Sequence, residues 1–255
     1  MNNLAIEYIH DGRFAEALEL SEEALKLNQE VLGDRHPKTL GSMQSVGVSY
    51  RHVGRFKEAV AMLEETLELM RAELGERHPS TLNTMNSLAI AYEQVGGNEE
   101  ELELHEQTLS LRQEVLGDRH PDTIQSMGNL AVAYRSLGRY PEALELHEKT
   151  LSLQQEVLGD RHPETLISMN NLAIEYSHAG RFAEALELSE EALKLNQEVW
   201  GDRHPETLGS MQSVGVGYRH VGRFEEAVAM LEETLELMRA ELGQRDPSTL
   251  NTMNS

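Results

Sequence analysis

A methionine returns every 42 residues along this chain, at Met1, Met43, Met85, Met127, Met169 and Met211, each time opening a Met-x-x-[Leu/Val]-[Ala/Gly] pentad. Each copy continues with a tyrosine (Tyr8, Tyr50, Tyr92, Tyr134, Tyr176, Tyr218), a glycine four residues later, an acidic stretch and a Gly-x-Arg-His-Pro type junction. A period of this length restricts the chain to a stacked architecture, because each unit is one supersecondary element whose apolar faces are buried only by its neighbours. The expected organisation is a single solenoid over 1–255, with repeats 1–42, 43–84, 85–126, 127–168, 169–210 and 211–252 and a partial seventh at 253–255.

Two helical patterns fill each unit. In the first, Leu40, Met43, Val46, Gly47, Tyr50 and Val53 recur at steps of three and four, one apolar face of a helix. Pro79, Pro121, Pro163 and Pro205 mark where the next such helix begins, since the first helical position does not need an N–H. The preceding residue is His36, His78, His120, His162 or His204, but Asp246 in the last copy. Aspartate is a strong N-cap, so the exchange places the helix boundary there. In the second pattern Phe14, Ala17, Leu18, Ala24, Leu25, Val31 and Leu32 share a face, and Gly33 follows as a left-handed C-terminal cap would. Each repeat is thus a helical hairpin turning at Gly12, Gly54 and their counterparts.

Leu4-Ala5-x-x-Tyr8, Gly12-x-Phe14, Ala17 and Ala24-Leu25 resemble the tetratricopeptide repeat. Methionine stands where that family has tryptophan, and its late proline is missing, so the second helix runs on. The junction Leu32-Gly33-Asp34-Arg35-His36-Pro37, followed by Thr39-Leu40, is similar to the 42-residue repeats of kinesin light chains. The resemblance implies an all-α, right-handed superhelical solenoid of antiparallel hairpins. It implies a non-catalytic scaffold for protein–protein interaction, with first helices lining a concave groove and acidic second helices on the convex side.

Comparison among the copies points to the groove residues. Residues 1–87 and 169–255 differ at only eight positions, so a four-repeat block has duplicated. The position after each tyrosine varies most: Ile9, Arg51, Glu93, Arg135, Ser177, Arg219. Beside it run His10, His52, Gln94, Ser136, His178 and His220. The resemblance places both rows in the groove. It also implies that Asn2, Gln44, Asn86, Asn170 and Gln212, with Asn3, Ser45, Ser87, Asn129, Asn171 and Ser213, contact a ligand backbone. Ile6, Val48, Ile90, Val132, Ile174 and Val216 would give an apolar floor. The alternative is a solvated helix face. Arg51, Arg135 and Arg219 against Glu93 make the row less acidic than the rest, which favours a partner segment carrying acidic residues.

Composition narrows the partner further. A formal charge of −22 argues against nucleic acid or an anionic membrane. No cysteine is present, no basic and apolar leader opens the sequence, and a cytoplasmic setting is the expectation. The junction histidines are a whole repeat apart, which favours capping over a metal site. His105 and His147 read as interior polar packing, and no phosphate loop or nucleophile–base motif is present. No catalytic residue, metal or cofactor is therefore expected.

Two copies depart from the pattern. Trp200 replaces leucine at the end of a second helix, where it closes the turn or anchors a partner. The third repeat reads Gly97-Asn98-Glu99-Glu100-Glu101 in place of Arg-Phe-x-Glu-Ala, losing an aromatic and a small residue of the hairpin. The rival role is a sensor or autoinhibitory arm of a larger signalling or nucleotide-switch protein. Met1 opens inside a first helix and Ser255 stops inside another, so a fragment of a longer array with end-to-end self-association is expected.

Overall fold

A computed structural model describes residues 2–243 and 246–253, without the side chains of Asn2, Asn3, Ile6 and His10. Among the described residues the chain forms thirteen helices and no strand. They are α1 (Asn2–His10), α2 (Phe14–Leu32), α3 (Pro37–His52), α4 (Phe56–Glu73), α5 (Pro79–Val95), α6 (Asn98–Leu116), α7 (Pro121–Ser136), α8 (Tyr140–Val157), α9 (Pro163–His178), α10 (Phe182–Trp200), α11 (Pro205–His220), α12 (Phe224–Glu241) and α13 (Pro247–Met253). Odd-numbered helices are the first arms of hairpins and even-numbered helices the second. Two compact units, 1–133 and 134–255, divide the chain, with the boundary inside α7. None of the described helices is long and apolar enough to cross a membrane.

The helix starts follow from the junction. In α3, α5, α9 and α11 proline stands in the first turn, and the histidine before it has extended backbone. The imidazole Nδ1 of His36, His78, His120, His162 and His204 accepts the backbone N–H two residues on, at 3.2–3.3 Å. Asp246 does the same for Ser248 at 2.8 Å. Histidine is therefore the cap, and as the acceptor Nδ1 must be unprotonated. The helix ends differ from expectation in detail. Gly33 has φ 85° but ψ 165°, so it turns the chain with positive φ yet lies outside the left-handed helical basin. Glycine remains the residue that takes this conformation without strain.

The second helix of one hairpin packs on the first helix of the next. In the first unit Ala59, Leu63 and Leu67 of α4 close against Leu82, Met85, Leu88 and Ala91 of α5. In the second, Leu151 of α8 and Ala192 of α10 close around Leu166, Met169 and Leu172 of α9. Val31 and Leu32, read from sequence as part of the apolar face, are exposed. They lie in the last turn of α2, beyond its buried stripe of Ala17, Ser21 and Ala24.

Within a hairpin the two arms approach through one pair of positions. A Cβ added at Gly47 would lie 2.7 Å from the Leu63 side chain, and at Gly215 2.7 Å from Leu231. Where the first arm carries alanine (Ala5, Ala89, Ala131, Ala173), the second carries Ser21, His105, His147 or Ser189 instead of leucine. Glycine is thus required by the leucine opposite. Gly47→Ala is expected to destabilise the protein by about 1–3 kcal/mol through overpacking. Adding Leu63→Ser, the combination that Ala5 and Ser21 already use, should recover much of that loss in denaturant titrations; equal cost in single and double variants would contradict the pairing.

Candidate functional site

The first helices of neighbouring hairpins lie side by side, α1 against α3 and α3 against α5. Their shared face bears the rows singled out from sequence. In the first unit Gln44, Ser45 and Val48 line a depression of about 210 Å³ with Ala5, Ile9, Ser21 and Ser49. In the second unit Gln212, Ser213 and Val216 line one of about 360 Å³, with Ile174, Ser177, His178 and Asn251 among its walls. The two depressions occupy corresponding places in the duplicated blocks. Small residues make the room: Ala5 and Ser21 in one, Ala173, Ala185, Ser189 and Gly217 in the other.

The amide rows are partly tied together. Asn129 Nδ2 donates to Asn86 Oδ1 at 2.8 Å. Ser210 donates to Asn170 Oδ1 at 3.3 Å. Asn171 and Gln212 are half-buried on the same helix faces. The expected contacts of Asn2, Asn3, Ile6 and His10 lie outside the described residues. Ile90 and Val132 are half-buried and Ile174 is exposed, so an apolar strip runs between the polar rows in each unit.

The variable rows have structural duties that single-position comparison did not show. His52 stacks on Phe14 with ring centroids 5.2 Å apart, His178 on Tyr140 at 5.3 Å and His220 on Phe182 at 4.7 Å. Each pair joins the end of a first helix to the start of the preceding second helix. Ser136 stands where the aromatic has become Asn98, and Glu93 and Gln94 are exposed. Trp200 likewise stacks on His204 at 4.7 Å, closing its junction while staying 41% exposed.

The three arginines are not equivalent. Arg51 is half-buried against His52, and desolvation lowers its pKa while Glu93 partly offsets this. Arg135 donates to Glu175 at 3.4 Å, where the Glu175 side chain is only 1% exposed. Burial raises the Glu175 pKa, and Arg135 pulls it back. Beside them His147 is buried, and burial followed by Arg135 depresses its pKa to about 4. Its Nε2 is 3.8 Å from Glu175, too long for a hydrogen bond, so this is a neutral ring against a carboxylate. Arg219 is exposed at the end of α11.

The third hairpin keeps its helices but carries an unusual interior. Glu101 is buried where other hairpins have Ala17, Ala59, Ala143, Ala185 and Ala227. Burial, reinforced by the Glu93 carboxylate, pushes its pKa up to about 7. Four residues on, His105 is buried with its pKa depressed to about 4 by desolvation. Arg112 is also buried, donating to Asp122 O, Ser126 and Asn83. The polar interior at His105 and His147 agrees with the sequence reading. Burial of Arg112 was missed, although its departure from Asn28, Met70, Gln154, Asn196 and Met238 is visible by alignment of the copies.

A raised carboxylate pKa stabilises the fold in its protonated form. The contribution of Glu101 is complete below its unfolded value of 4.5 and is lost as pH rises through about 7. His105 and His147 act oppositely, adding stability above 6.5 that is lost as pH falls through about 4. Glu101→Ala is therefore expected to match or slightly exceed the parent at pH 4.5 and to gain on it up to pH 7, by roughly 1–3 kcal/mol. Urea titrations across that range measure it, and a pH-independent difference would contradict a buried, titrating Glu101.

The sequence profile of the tetratricopeptide repeat matches residues 1–72, 41–114, 98–153, 128–198 and 176–240. No curated protein matches the chain. Among solved structures, it is similar to a candidate kinesin light chain of Podosopora anserina with nearly identical TPR-like repeats. That likeness has 32% identity and a TM-score of 0.72, covering 83% of this chain and 99% of the other. BtubC (BKLC) of P. vanneervenii shares the fold at 20% identity and TM-score 0.77, over 92% and 94% of the two chains. The apo quorum sensor NprR of B. thuringiensis does so at 17% identity and TM-score 0.66, over 99% of this chain and 68% of that one.

Proposed function

Because the chain belongs to the tetratricopeptide repeat family, in its 42-residue kinesin-light-chain-like form, we propose that it is a non-catalytic scaffold that holds a peptide segment of a protein partner along its first helices. The observation that carries this reading is the pair of corresponding depressions lined by Gln44, Ser45 and Val48 and by Gln212, Ser213 and Val216. Both combine amide and hydroxyl groups, suited to a ligand backbone, with an apolar floor suited to its side chains. The reading takes the repeats as one array and the protein as cytoplasmic; the absence of cysteine fits a reducing compartment.

The partner segment carries acidic side chains. Arg51 and Arg219 stand one to two turns along the helix from Gln44 and Gln212, so an extended segment on the amides would bring its carboxylates toward them. Arg135 contributes less, since Glu175 already engages it. Asn86, Asn129, Asn170 and Asn171 extend the polar rows, with Glu93 and Gln94 selecting against acidic side chains at the third repeat.

A displayed library of random peptides, selected on the immobilised protein, tests the reading. Acidic peptides are expected to enrich. Their binding should fall in Gln44→Ala/Gln212→Ala and vanish in Arg51→Glu/Arg219→Glu, with helical circular dichroism retained; at the exposed Arg219 the stability change should stay below about 0.5 kcal/mol. Arg135→Glu is the contrasting control, expected to lose stability because it buries a second carboxylate beside Glu175. Selected peptides that bind both double variants with parental affinity would move the site off these helices.

A further inference from the structure

Five of the hairpins hold an arginine in the same way. Arg13, Arg55, Arg139, Arg181 and Arg223 lie 4.1–4.2 Å over the rings of Tyr8, Tyr50, Tyr134, Tyr176 and Tyr218. Each Nε donates to a glutamate three residues on, Glu16, Glu58, Glu142, Glu184 or Glu226, at 2.7–3.1 Å. A second carboxylate comes from the preceding second helix. Tyr50, Tyr176 and Tyr218 donate their hydroxyls to Glu22, Glu148 and Glu190 at 2.9–3.1 Å. Arg181 also reaches Glu148 at 3.2 Å, and Arg223 reaches Glu190 at 3.8 Å. One π face and two carboxylates thus form a seat for a planar cation.

The third hairpin retains the seat and lacks its occupant. Tyr92 is present and its hydroxyl donates to Glu64, the counterpart of Glu22 and Glu148. Glu100 stands where Glu58 and Glu142 stand, and among the described residues no basic side chain pairs with it. The arginine itself is Gly97. Its backbone, at φ −81° and ψ 62°, matches that of Arg13 at −88° and 59°, a conformation open to any residue. The turn hydrogen bond from its N–H to Tyr92 O is kept at 3.0 Å. The cation is absent, and the Tyr92 ring stands closer to position 97 than an arginine there would allow: an added Cβ would lie 2.7 Å from it.

A depression of about 420 Å³ lies there, lined by Tyr92, Glu64, Glu68, Glu100 and Glu103 over Leu67 and Leu88. Arg71 on its wall is engaged with Glu76 at 3.6 Å. Burial together with Glu64 and Glu100 pushes the Tyr92 hydroxyl up to about 12, whereas Arg55, Arg181 and Arg223 oppose the same shift in Tyr50, Tyr176 and Tyr218.

We propose that this depression receives an arginine side chain from a basic segment of a protein partner, supplying in trans the guanidinium that the other five hairpins carry in cis. Arginine fits where lysine does not, because the seat asks for a flat group that stacks on a ring and meets carboxylates through its fork. The surface involves α4, α6 and the end of α5, apart from the amide-lined depressions, and the proposal does not rest on them.

The probe is a short blocked peptide, Gly-Ser-Arg-Ser-Gly, titrated into the intact protein and followed by amide and side-chain NMR. Shifts are expected at Tyr92, Glu100 and Leu104, with the lysine version binding about tenfold more weakly or not at all. Glu100→Gln should weaken arginine binding by about tenfold, the loss of one charge-assisted hydrogen bond. Gly97→Arg should abolish it by filling the seat. A Cβ there would meet the Tyr92 ring at 2.7 Å, so the ring must move aside, and Tyr92→Leu provides a second variant that should also lose binding. Any of three results overturns the proposal: no shifts at Tyr92, equal binding of the lysine peptide, or binding undiminished in Glu100→Gln and Tyr92→Leu. Concentration-dependent association of the parent that Gly97→Arg removes would assign the seat to a second copy of this chain, and would equally overturn it.

Discussion

A single hairpin of this sequence has two apolar flanks and can cover only one. Leu63 and Leu67 on α4 remain open until Leu82, Met85 and Leu88 of α5 arrive, and the same holds at Leu151 and Leu166 in the second unit. Burial of each such side chain is worth roughly 1.5–3 kcal/mol, so the stacking contact outweighs any local turn or cap. It fixes what the rest of a repeat can be. Residues facing the contact are mostly Leu, Met, Ile, Val and Ala, with Glu101 and His105 the exceptions in the third hairpin, and residues facing away are released to vary.

Closeness within the hairpin adds a second constraint, and it acts on pairs. Gly47 goes with Leu63 and Gly215 with Leu231, while alanine in the first arm goes with serine or histidine in the second. Across the junction Met70 accepts from Thr84 and Met238 from Thr252, whereas Asn28 and Asn196 bond Ser42 and Ser210. His52, His178 and His220 answer Phe14, Tyr140 and Phe182. These exchanges keep one backbone repeat through different side chains, and where alanine faces serine they leave room for the depressions.

Helix type, helix limits and the histidine caps were legible because they rest on period and on single residues: the apolar spacing, Pro37 and the His78 to Asp246 exchange. The pairwise duties were not read, because variation was judged one position at a time. His52, His178 and His220 each stack on an aromatic 38 residues earlier, a duty that a column-by-column view does not show, although Gln94 stands at the same distance after Phe56. The ionic interior of the third repeat was half legible. The loss of the aromatic and the small residue at Asn98 and Glu101 stands out, but not that Glu101 is buried or that Tyr92, Glu64 and Glu100 remain together where the arginine is missing. Those follow from neighbours on other helices, which the repeat register alone does not place.

Stacking keeps the third hairpin folded while its own clasp is weakened, so this hairpin combines native backbone with low local stability. Native-state hydrogen exchange measures that directly. Amides from Glu101 to Leu104 should exchange at least about tenfold faster than their counterparts from Ala143 to Leu146, reporting a lower opening energy in a helix of the same length class. Equal protection in the two segments would show that Gly97 and Glu101 cost the hairpin nothing, and would contradict the account.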